Sequence, residues 1–164
     1  MDNKFHNFEK NISLSEIKEA EENIEYFFPK KFKEFYLSHN GGTPEKCCWA
    51  DKDSELDYLE IASFIPFKFC EKQHNNPDHL IDGIYKKMVI KKIIPANIVP
   101  FATDWGGNFF CIRKTDNSII YYTIDDFSCK ENIEESYKNR QSFLDISFED
   151  FLGHLVTEDE SLEM

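Results

Sequence analysis

Apolar side chains at Ile17, Ala20, Ile24 and Phe27/Phe28 recur with a helical period, while Glu19, Glu21, Glu22 and Glu25 fall mostly on the opposite face. Ser13 precedes this run with Glu16 three residues on, the spacing of a capping box, and Ile12 is placed to staple against Ile17. Pro29 breaks the helix and suits the first turn of a second one through Phe32, Phe35/Tyr36 and His39. That helix is expected to stop at Asn40-Gly41-Gly42, where glycine takes the left-handed conformation after a last turn. His39 then sits at the favourable end of the helix dipole, with no nucleophile nearby to make it a catalytic base. Phe5 and Phe8 in the lead-in predict a short helical turn.

Beyond residue 43 the pattern turns polar, with Trp49 set beside the acidic run Asp51, Asp53, Glu55, Asp57 and Glu60, either as an exposed binding anchor or as a loop aromatic folded onto the core. Leu56, Tyr58/Leu59 and Ile61 predict an early strand, and residues 61–69 a second one limited by Pro66. Leu80, Ile81, Ile84, Tyr85 and Met88 mark a helix despite Gly83, and Lys86, Lys87, Lys91 and Lys92 give it a basic, solvated face. Three strands follow. The first, near 98–103, and the second, near 109–112, flank a corner at Asp104-Trp105-Gly106-Gly107-Asn108, and the third spans 119–124. Such a corner can turn a meander or gather backbone N–H groups around an anion, and the flanking apolar strands favour the first role. Residues 128–140 read as charged loop or weak helix. Ser147 then caps a helix whose apolar face is Phe148, Phe151/Leu152 and Leu155.

Composition narrows what this pattern can serve. A chain of 164 residues with 41% hydrophobic and 15% aromatic residues has ample core for one domain and is not a disordered chain. Its net charge of −12 repels nucleic-acid phosphates and anionic lipid, and favours basic partners. No membrane association is expected, since no segment approaches the ~20 apolar residues of a span, and the N-terminal residues carry no apolar leader. The odd cysteine count (Cys47, Cys48, Cys70, Cys111, Cys129) fits reduced thiols in the cytoplasm. Cys70 and His74 could supply two zinc ligands, but adjacent Cys47 and Cys48 lack the usual ligand spacing, so neither metal nor cofactor is expected. G-x-S-x-G, H-E-x-x-H and phosphate-loop patterns are all missing, which argues against an enzyme.

The ordered blocks carry a resemblance. The capped acidic helix, the run Phe27-Phe28-Pro29-Lys30-Lys31-Phe32-Lys33-Glu34-Phe35-Tyr36 and the terminating Asn40-Gly41-Gly42 are similar to the first half of the SUKH superfamily. Ile98-Val99-Pro100-Phe101-Ala102-Thr103-Asp104 followed by Gly107-Asn108-Phe109-Phe110-Cys111-Ile112 resembles its second block. Ser147-Phe148-Glu149-Asp150-Phe151-Leu152 resembles its closing helix. The likeness spans roughly 12–155, with 43–97 departing most. It implies an α+β single domain over 1–156, with a central, mainly antiparallel twisted sheet, an N-terminal helix pair and a C-terminal helix packed against it. Residues 157–164 are left as an acidic mobile tail. It further implies a non-catalytic immunity protein that binds a cognate protein toxin, often a nuclease, or else a scaffold of the fungal cell-wall regulator type. Charge and loop position, not a matched motif, nominate Trp49, Asp51, Asp53, Glu55, Asp57, Asp104 and Trp105 as partner-binding residues on a monomer or weak homodimer.

Overall fold

The computed structural model describes residues 2–54, 56, 58–124 and 132–164. The lead-in forms a strand, β1 (Phe5–His6), and not the expected helical turn. The Phe5 ring lodges among Phe35, His39 and Phe64, with centroids 4.7 to 5.5 Å away, which holds the backbone extended. α1 (Leu14–Ile24) starts where its cap predicts, the Ser13 N–H donating to Glu16 Oε2 at 2.7 Å. One acidic residue departs from the expected outer face. Glu21 is only 4% exposed, because its carboxylate accepts the Phe28 N–H at 2.7 Å and the Lys33 ammonium at 3.2 Å. The break at Pro29 leaves that N–H without a helical acceptor, and Glu21 supplies one.

α2 (Lys30–Ser38) buries Phe32, Phe35 and Tyr36, and the Tyr36 hydroxyl is shared between the carbonyls of Ile65 and Phe101. Asn40, fully buried at the helix end, donates to the Lys10 and Lys68 carbonyls at 3.0 and 2.7 Å and accepts the Phe67 N–H at 2.9 Å. One side chain thereby ties three chain segments together. Gly42 follows at φ 102°, where an added Cβ would lie 2.7 Å from the His6 carbonyl oxygen. The tight approach of β1 to β2 (Thr43–Pro44) therefore needs glycine there.

The remaining elements are β3 (Cys48–Trp49), β4 (Leu59–Glu60), β5 (Ser63–Phe64), α3 (Ile81–Ile90), β6 (Ile98–Thr103), β7 (Phe109–Arg113) and β8 (Ile119–Tyr122). After them come α4 (Ile133–Asn139), β9 (Gln141–Phe143), α5 (Phe148–Gly153), β10 (Leu155–Val156) and α6 (Glu158–Leu162). An antiparallel sheet runs β5-β6-β7-β8-β9, and a smaller one runs β10-β3-β4. The fold is the α+β domain expected, with the helix pair and closing helix seated on the sheet. Phe101 packs on Phe32, Phe148 and Phe151, and Phe110 on Phe151, so α2 and α5 share one face. The strand expected across 61–69 is confined to Ser63–Phe64, because Pro66 lacks the N–H to continue the ladder. The acidic end expected to be a mobile tail takes a short helix, α6.

Candidate functional site

The polypeptide run from Leu59 to Ile65 joins the two sheets. The Ile61 N–H donates to the Cys47 carbonyl at 2.7 Å, and the Ala62 N–H to the Thr103 carbonyl at 2.8 Å. Ser63 lies opposite Thr103, so the antiparallel register carried back along the run places its earlier residues beside the 104–108 corner. Glu60 and Trp105 meet there, the indole N–H donating to Glu60 Oε1 at 2.9 Å. The last carboxylate of the acidic run and the glycine corner, far apart in sequence, thus meet. Glu60 is the side chain that makes the contact, and nothing in its local sequence sets it apart from the other carboxylates of the same run.

The corner gathers its N–H groups around an anion, and that anion is its own Asp104. Asp104 accepts the Asn108 backbone N–H at 2.8 Å, the Asn108 side-chain amide at 3.0 Å and the Tyr121 hydroxyl. Burial works to raise the Asp104 pKa, but hydrogen bonds from Tyr121, Asn108 and the Gly106 backbone outweigh it, and the net shift is downward. The side-chain carbonyl oxygen of Asn108 in turn accepts the Ile124 N–H at 3.0 Å. Asp104 is therefore a fixed charge that shapes the turn, and Trp105 rides on that turn with 73% of its surface exposed.

Asp51 and Asp53 lie on the loop leaving β3, with Asp51 Oδ1 accepting the Asp53 N–H at 3.0 Å. Glu55 and Asp57 fall outside the described residues. Trp49 is corrected from a surface anchor to a core residue, being 1% exposed. In the small sheet it pairs with Leu59 and Leu155, so strand alternation turns all three to the interior and leaves Cys48, Glu60 and Val156 on the other side. α6 lies against β3. The helix holds itself by a capping box: Thr157 N–H to Glu160 Oε2 at 2.9 Å, and Glu160 N–H to Thr157 Oγ1 at 3.3 Å. It brings Glu158, Asp159 and Glu160 to the small sheet, with Lys46 near Glu160 as a nearby cation.

Ion pairs form at several places on the molecule. Among the described residues the salt bridges are His6–Glu45, Lys30–Glu34, Lys31–Glu34, Lys33–Glu21, Lys68–Glu19, Lys87–Asp78 and Arg113–Asp116. None of these takes in Asp51, Asp53, Glu60, Asp104 or the carboxylates of α6.

Burial, with the neighbouring Cys47, pushes the Cys48 thiol up to about 11, and burial likewise raises Cys70 and Cys111, so these thiols stay protonated and are weak nucleophiles. Among the described residues no group of three His, Cys, Asp or Glu side chains is placed to hold a metal. An open groove of about 510 Å³ between α2 and α5 is flanked by Lys31 and Glu34, which pair with each other. No helix among the described residues is long and apolar enough to cross a membrane.

Two comparisons with known proteins bear on this surface. A family model described as SMI1 / KNR4 family (SUKH-1) matches residues 11–153, nearly the whole chain. The chain is also 26% identical to the SPbeta prophage-derived protein YokK of Bacillus subtilis (strain 168), over 87% of this chain and 74% of that protein.

Proposed function

The chain belongs to the SMI1/KNR4 family (SUKH-1), and from that premise we propose that it is a non-catalytic cytoplasmic immunity protein. It binds a cognate basic protein toxin, of the nuclease type, and neutralises it with the acidic end formed by Asp51, Asp53, Glu60, Asp104, Trp105 and α6. The observation that carries this reading is the exposed Trp105 hydrogen-bonded to Glu60, a carboxylate in no salt bridge among the described residues, in a chain of net charge −12. A nuclease must present positive charge to phosphates. A protein with an uncompensated negative face can occupy that site and gain a fast, steered association. The prophage origin of YokK is in keeping with a toxin-linked role.

Co-expression with candidate secreted nucleases from the source organism tests the reading. Growth is expected to be rescued against one of them, and the complex with that toxin should form more slowly as salt rises. Rescue by none would overturn the immunity role. A complex that forms equally fast at low and high salt would overturn its electrostatic basis. Binding without any effect on toxicity would favour the regulatory branch of the family.

A further inference from the structure

Trp105 is both exposed and held. The residue is 73% exposed, yet the indole N–H is committed to Glu60 Oε1 at 2.9 Å. The turn beneath it is tied by hydrogen bonds among Asp104, Asn108 and Tyr121. A group arriving at this ring meets an aromatic already in place, so little further conformational freedom is lost on contact. Among the described residues the ring stacks on no other aromatic and has no cation over it, although Lys10, Arg113 and Lys114 each lie over a ring elsewhere.

We infer that Trp105 and Glu60 together form a receptor for an arginine side chain of the protein partner, an inference that rests on the reading of this chain as the binder of a basic protein. A planar guanidinium can lie flat on the indole face while its edge donates N–H groups to the adjacent carboxylate. The indole N–H occupies Oε1 of Glu60 and leaves Oε2 for a second donor, and Glu60 is in no salt bridge among the described residues. Lysine fits less well, because a compact ammonium cannot both stack and fork. Asp51, Asp53 and the carboxylates of α6 draw cations towards the same end and repel phosphate ligands. The occupant is therefore an arginine-bearing protein surface and not a nucleic acid.

Labelled oligoarginine and oligolysine of equal length, titrated at physiological salt and followed by anisotropy, provide the test. Oligoarginine should bind about fivefold more tightly than oligolysine, the increment expected of an exposed cation–π contact. The chain has two tryptophans and Trp49 is 1% exposed, so quenching of intrinsic fluorescence by oligoarginine reports on Trp105. Trp105→Ala should erase the preference for arginine, and Glu60→Gln should reduce it, both with unchanged circular dichroism. Wild-type discrimination in Trp105→Ala would sink the inference. Undiminished rescue by Trp105→Ala against a toxin that the wild type neutralises would also sink it, while leaving the immunity role standing. Arginine preference without rescue against any toxin would do the reverse.

Discussion

The helical side of the molecule and its acidic end use the same residue types for different ends. On α1, α2 and the segments packed beside them, three carboxylates meet cations: Glu34 with Lys30 and Lys31, Glu21 with Lys33, Glu19 with Lys68. At the acidic end, carboxylates meet N–H groups: Asp51 holds the Asp53 amide, Asp104 the Asn108 amide, Glu160 the Thr157 amide, and Glu60 the Trp105 indole. A neutral donor satisfies the hydrogen bonds of a carboxylate without cancelling its charge. The acidic end is thus locally ordered and still electrostatically open, whereas on the helical side Glu19, Glu21 and Glu34 are paired within the fold. Net charge alone does not distinguish these two conditions; the identity of each donor does.

Glu21 offers the largest break in this comparison. Its removal strands the Phe28 N–H and leaves the Lys33 ammonium, itself 27% exposed, without its partner. Glu21→Ala is expected to cost about 3 kcal/mol in urea denaturation, at the lower edge for broken buried pairs because Lys33 can turn to water. Glu60→Gln, at the other end, should change stability by less than about 0.5 kcal/mol, since it keeps an acceptor for the indole and sits at the surface. Equal costs for the two would erase the distinction between paired and open charge.

The pH dependence of Asp104 sharpens it further. This carboxyl has a lowered folded pKa, so its contribution to stability is complete above the ordinary carboxylate value of about 4 and is lost as pH falls through the folded value. Asp104→Asn keeps the shape but puts an amide where the Asn108 amide and Tyr121 hydroxyl donate. The variant should be less stable by about 1 kcal/mol at neutral pH, the scale of one lost hydrogen bond at a partly exposed site. That gap should close as pH drops below the carboxylate range, since only the wild type loses the interaction there. A gap that stays constant with pH would mean that the ionised carboxylate does not hold the turn.

Much of the fold was legible because its signals are local. Ser13 with Glu16, Pro29, the glycines after Asn40 and Ser147 with Asp150 mark helix ends through hydrogen bonds made within a few residues. The long apolar strands β6, β7 and β8 announce themselves by continuous burial. What escaped is non-local. The small sheet is made of two-residue strands, two of them neighbours in sequence and the third from the C-terminal end, and β9 is three residues of mixed polarity, so neither has a periodicity to read. Trp49 has the look of a surface aromatic because its sequence neighbours are acidic, yet strand pairing with Leu59 and Leu155 turns it inward. Asn40 reads as a helix terminator and proves to be a clamp on three distant backbone groups. Of the nominated site, Asp104 and Trp105 share one corner, and only the register between β5 and β6 reveals Glu60 as their neighbour.

The smallest expected effect isolates charge from structure. Asp51→Asn with Asp53→Asn removes two negative charges at the acidic end, and the side-chain amide oxygen introduced at the first position can still accept the hydrogen bond that Asp51 takes from the Asp53 N–H. Glu22→Gln with Glu25→Gln removes two on the helical side and serves as the matched control. Both double variants carry the same net charge, so any long-range effect that depends on the total alone should move them equally. Stability should change by less than about 0.5 kcal/mol in each. Binding of labelled oligoarginine at low salt should nevertheless weaken by about twofold more in the acidic-end pair, as expected for charges within a Debye length of the ligand, and the difference should fade as salt is raised. Equal weakening in both pairs would show that the ligand senses only the overall charge of the chain. A difference that persists at high salt would instead point to direct contact with Asp51 or Asp53, and would extend the receptor from Trp105 and Glu60 into the loop after β3.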